Sequence, residues 1–89
     1  MAEKNVVLIK VISQKGNCAA KYKVGDEWVA KDDEIPAGIC PYAFHSLFPF
    51  IQVLMFGGAF PWEADPDAAT VACPDAENPV VFELRRVRA

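Results

Sequence analysis

Four side chains in this sequence carry chemistry beyond packing and surface charge: Cys18, Cys40, Cys73 and His45, the single histidine. Each cysteine falls where a turn meets an element, and none sits in the middle of an apolar run. A cysteine that only fills space prefers such a run, because a free thiol behaves as a small hydrophobe. Cys40 and Cys73 are each followed by proline, which keeps the preceding residue extended and holds its sulfur on a rigid backbone. Loops at element ends can gather on one side of a domain, so the three thiols can meet.

Two chemistries follow from such a meeting. Three thiolates with His45 make the Cys3His set of zinc, and three thiolates with an outside ligand hold an iron–sulfur cluster. The spacing departs from ordinary zinc sites, whose ligands come in pairs two to four residues apart. His45 follows Cys40 by five residues and shares no helical face with it, so the two converge only if Cys40 precedes the first turn. The second chemistry is a reactive thiol at Cys40. The positive end of a helix dipole favours a thiolate, His45 is one turn away, and Cys73 is a candidate resolving thiol. No Cys-x-x-Cys pair is present, which argues against thioredoxin-like exchange. Against both stands a structural reading in which the cysteines are buried and inert. His45 lacks a Ser or Asp at a recognisable catalytic motif, and no residue is assigned a catalytic role.

The element that must position these groups runs from Cys40 to Gly58. Pro41 suits the first helical position, which places Cys40 at the N-cap, and Gly57-Gly58 ends the helix. Phe44, Leu47, Phe48, Ile51, Leu54 and Met55 recur at helical spacing. Tyr42, Phe50, Val53 and Phe56 lie on the other side, so burial on most sides is expected, under strands or a second copy of the chain. Pro49 inside the pattern is expected to kink or divide the helix.

Around it, Val6 to Ile12 reads as a strand apolar on both faces, hence central or doubly covered. Glu27–Lys31 and a short stretch around Thr70 and Val71 are further strands. Val80–Val87 is the last, with Val80, Phe82 and Leu84 opposed to Val81, Glu83 and Arg85. Lys21–Gly25 reads as a short polar connection. Strand, strand, helix, strand, strand points to an α+β domain spanning 1–89, a small mainly antiparallel sheet packed on one Pro-interrupted helix.

With 89 residues, 53% hydrophobic and 24% charged, the chain can form one modest core. A net charge of −3 offers no general attraction for nucleic acid or an anionic membrane. The helix is too short and broken to span a bilayer. An odd cysteine count without an export signal points to a reducing cytoplasm. Glu63, Asp65, Asp67, Asp75 and Glu77 read as a solvated acidic face. Arg85, Arg86 and Arg88 read as the charged end of an edge strand or an anion contact. Trp28, Tyr42, Phe60 and Trp62 read as core, with a small-molecule pocket as the weaker use.

The set Cys18, Lys23-Val24-Gly25-Asp26, Cys40-Pro41-Tyr42-Ala43-Phe44-His45, Phe56-Gly57-Gly58, Pro61-Trp62, Cys73-Pro74-Asp75 and Asn78-Pro79-Val80-Val81-Phe82 resembles a family of short uncharacterised prokaryotic proteins, many from anaerobes. The resemblance implies that the three cysteines and His45 are signature positions and suits an oxygen-sensitive thiol or cluster. Ala19-Ala20 departs from the Pro-containing step of that pattern. The expected function is therefore a cysteine-based metal (zinc or iron–sulfur) or thiol site formed by Cys18, Cys40, His45 and Cys73. The alternative is a non-enzymatic interaction module with structural cysteines and an apolar helix surface, and a homodimer through the helix fits either.

Overall fold

The structure is a computed structural model that describes residues 5–16, 22–31 and 34–87. Its elements are β1 (Val6–Gln14), β2 (Glu27–Ala30), α1 (Pro41–Met55), β3 (Ala68–Ala72) and β4 (Val80–Val87). The strands form one antiparallel sheet in the order β2-β1-β4-β3, with α1 against one face, so the domain is α+β.

Val7, Ile9 and Val11 of β1 are fully buried, in register with Trp28 and Ala30 of β2 and with Phe82 and Leu84 of β4. Ala69 and Val71 of β3 extend the same inner face. β1 is central as expected, but its second apolar face is not covered. Val6 and Leu8 are only half-buried there, because a single helix covers a single side of the sheet. The register slips between Val11 and Ser13, and Ile12 is left exposed at the bulge.

The helix begins as the sequence requires. Pro41 occupies the first turn, and Cys40 is extended (φ −64°, ψ 129°) while its carbonyl accepts the Phe44 N–H at 2.9 Å. At the other end Gly57 takes φ +91°, and the Gly58 N–H donates to Val53 O at 2.8 Å. Pro49 does not divide the helix, which runs unbroken to Met55. Pro49 and His45 are both exposed, so the carbonyl that loses its donor lies on the water side. Ala43, Leu47, Ile51, Leu54 and Met55 form the buried stripe. The expected burial on most sides is not found: Tyr42 is 75%, Phe48 44% and Phe56 61% exposed. Among the described residues no helix is long and apolar enough to cross a membrane.

Arg86 differs most from expectation. β4 is an inner strand, not an edge, and Arg86 points into the helix side beside Val7. It is 6% exposed, and all five of its N–H groups are used. Nε and Nη2 donate to Asp67 Oδ1 at 2.9 and 2.8 Å, and Nη2 also donates to Pro66 O at 2.9 Å. Nη1 donates to Leu54 O at 3.1 Å and Gly58 O at 2.6 Å, closing the C-terminal end of α1. The acidic stretch is likewise not merely solvated. Asp65 Oδ2 accepts Arg85 Nη1 at 2.8 Å, and Glu63 Oε2 accepts the Thr70 N–H at 3.1 Å. Arg88 lies outside the described residues.

Candidate thiol site

Cys40 and Cys73 line one cavity of about 340 Å³. Its walls come from the first turn of α1 (Tyr42, Ala43), the start of β4 (Val80, Phe82), the loop from Cys73 to Asn78, and Tyr22. Both sulfurs are free thiols and half-buried. The lining is mostly apolar, with the two sulfurs, the Asp75 carboxylate, the Asn78 amide and two phenol groups as its reactive or polar members.

Each sulfur is held by a device that begins in local sequence. Cys40 is fixed through its backbone. Its N–H donates to the Tyr22 hydroxyl, which in turn donates to Gly38 O at 3.3 Å. Tyr22 is itself pinned, with its ring 4.7 Å from Trp28 and 6.2 Å from Phe82 between centroids. One buried aromatic thus sets where the chain turns into the helix. The Lys21–Gly25 stretch reads as a polar connection, and its only sign of this role is a lone aromatic among polar neighbours.

Cys73 is fixed at the mouth of the β3–β4 hairpin. Its N–H donates to Val80 O at 2.9 Å, and the Val80 N–H donates to Cys73 Sγ at 3.3 Å. The loop between them is folded by Asp75, whose Oδ1 accepts the Glu77 and Asn78 N–H groups at 3.1 and 3.0 Å. Gly16, two residues past the end of β1, leaves no room for a side chain, because a Cβ there would overlap the Asn78 amide oxygen.

The Asn78 N–H, followed by that of Glu77, holds the Asp75 carboxyl below its ordinary value of 3.8. The Arg85 guanidinium does the same for Asp65, helped by the Asp67 N–H. Both carboxyls bind protons less readily folded than unfolded, so their contribution to stability is complete above the unfolded value. It is lost as pH falls below 3.8 toward the lower folded values. The urea midpoint is therefore expected to fall across that acid window and to fall less steeply in D65N and D75N. Identical profiles for variants and parent would remove these two groups from acid unfolding.

His45 is exposed and lines a separate groove of about 620 Å³ with Ile35, Phe44, Phe48, Met55 and Phe56. Five helical residues carry it roughly 140° round the axis from Cys40. The structure brings Cys40 and Cys73 together without His45, and Cys18 lies outside the described residues. Among the described residues no three His, Cys, Asp or Glu side chains gather as a metal-binding group. The four aromatics of the suggested ligand pocket do not converge either. Tyr42 lines the thiol cavity, Trp28 packs at a tilt against Tyr22, and Phe60 packs between Phe50 and Trp62.

No protein-family model, curated protein or solved structure matches this chain.

Proposed function

We propose that this protein carries a paired-thiol site in which Cys40 and Cys73 act on a small ligand that reacts with or coordinates sulfur. One observation carries the reading: two free thiols, brought from a helix start and a hairpin mouth, line the same mostly apolar cavity. The rigid Cys-Pro steps and the Tyr22 and Val80 contacts restrict where the sulfurs go, which suits directed chemistry better than filler. A reducing cytoplasm keeps both as thiols. Zinc takes four ligands, and the described residues offer two sulfurs here, so the thiol pair comes before a complete metal centre.

The test is native-state thiol titration, with metal and acid-labile sulfide content, on untagged protein purified without oxygen or chelators. C40S and C73S are each expected to lose one reactive thiol equivalent while the far-UV spectrum is kept. Unchanged reactivity in both variants would remove the site. Near-stoichiometric zinc or iron that falls in C40S, C73S and C18S alike would make the pair part of a larger ligand set.

A second reading has its own observation. The groove beside α1 is apolar and carries Ile35, 69% exposed, together with Phe48 and Phe56. It suits a non-enzymatic interaction module, and F48S/F56S should then weaken partner binding and leave thiol titration unchanged.

A further inference from the structure

The two edges of the sheet are treated differently. On β3 two of the outward donors are taken: the Thr70 N–H by Glu63 Oε2 at 3.1 Å and the Ala68 N–H by Asp65 O at 3.2 Å. Covered donors of this kind keep another strand from pairing there. On β2 the Val11 N–H donates to Asp26 O at 2.9 Å, which sets the alternation of the ladder. Trp28 and Ala30 then exchange bonds with Ile9 and Val7, and the N–H and C=O groups of Glu27 and Val29 point away from β1. Among the described residues nothing caps those outward donors.

The side chains along this edge have a pattern. Glu27, Val29 and Lys31 are exposed, Val29 at 48%. Glu27 and Lys31 stand two residues either side of Val29 with opposite charges. If two copies pair antiparallel about a two-fold axis at Val29, Glu27 of each faces Lys31 of the other, and the valines meet at the centre. Parallel pairing sets like charge against like. A cleft of about 580 Å³ lined by Val29, Glu34, Ile35 and Pro36 runs beside the strand and offers further apolar surface.

We propose that the open β2 edge is a homodimer interface, in which a second copy of this chain adds its own β2 antiparallel and merges two four-stranded sheets into one. The occupant is chosen by charge: a self-complementary Glu–x–Val–x–Lys edge matches itself in one register and direction.

Sedimentation equilibrium over a concentration series into the millimolar range tests this. The parent is expected to dimerise. V29P removes an outward N–H that β1 does not use, so it should be monomeric with an unchanged far-UV spectrum. E27K and K31E should each weaken the dimer about tenfold, since either sets two pairs of like charges face to face. Mixing E27K with K31E should restore association as a heterodimer. A parent that stays monomeric throughout overturns the proposal. So does a dimer indifferent to E27K and K31E, which would place the contact elsewhere, such as the groove beside α1. If V29P does not fold, the two exposed charge variants decide.

Discussion

Arg86→Leu is expected to lower the unfolding free energy by about 3–5 kcal/mol, a large part of what a domain of this size has. The guanidinium joins three segments: the end of α1 through Leu54 and Gly58, the approach to β3 through Pro66 and Asp67, and β4 itself. Leucine fills the space of the aliphatic stem but leaves the carbonyls of Leu54, Gly58 and Pro66 without these donors and Asp67 without this cation. A stranded buried acceptor such as Leu54 O, beside a half-buried carboxylate, costs more than the bonds contributed. Arg86→Lys keeps a positive charge near Asp67, but a single ammonium does not reach all three carbonyls, so it should lose about half as much. Urea unfolding followed by tryptophan fluorescence measures both. Removing Asp67 together with Arg86 should cost less than the sum of the single changes, because no charge is then left behind. A loss below about 1 kcal/mol for Arg86→Leu would mean that water replaces the guanidinium and that the ion pair is peripheral.

Phe82→Ala should destabilise by about 4 kcal/mol. Phe82 is fully buried at the centre of β4, between Val11 and Val71, and its ring meets Tyr22 edge-on while lining the thiol cavity. Its removal costs the transfer energy of the ring and leaves a void that a four-stranded sheet with one helix closes poorly. The effect also reaches the site. Tyr22 loses the edge contact of the Phe82 ring, and its hydroxyl is what holds the Cys40 N–H. Native-state reactivity of Cys40 is therefore expected to rise along with the drop in urea midpoint. Phe82→Leu, which keeps most of the volume, should lower the midpoint far less and leave the reactivity near that of the parent. Equal Cys40 reactivity in Phe82→Ala and parent would show that Tyr22 holds the helix start without help from the sheet.

Much of the fold is local in origin and therefore readable in the chain. Pro41 and Gly57 bound the helix because fixed φ and positive φ are single-residue properties. The alternation Val80, Phe82, Leu84 marks a strand with one buried face because the pleat has period two. That same parity carries on to Arg86, so its inward direction was present in the sequence. Its burial was not, because the partners that make burial tolerable come from Leu54, Gly58 and Asp67, far along the chain. Pro49 shows the reverse case: a local helix breaker tolerated because the stripe from Ala43 to Met55 is held against the sheet.

For the candidate site, the residue types and their junction positions were set by sequence alone, and so was the separation of Cys40 from His45 round the helix. Which thiols share a cavity was decided by tertiary structure. The helix start, the β3–β4 hairpin mouth and Tyr22 meet because α1 lies across β3 and β4, and that packing depends on long-range burial that no short stretch encodes. Edge and centre were decided in the same way. The order β2-β1-β4-β3 made β4 an inner strand and left β2 at the margin, since strand order follows from which apolar faces can be covered together and not from the pattern within any one strand.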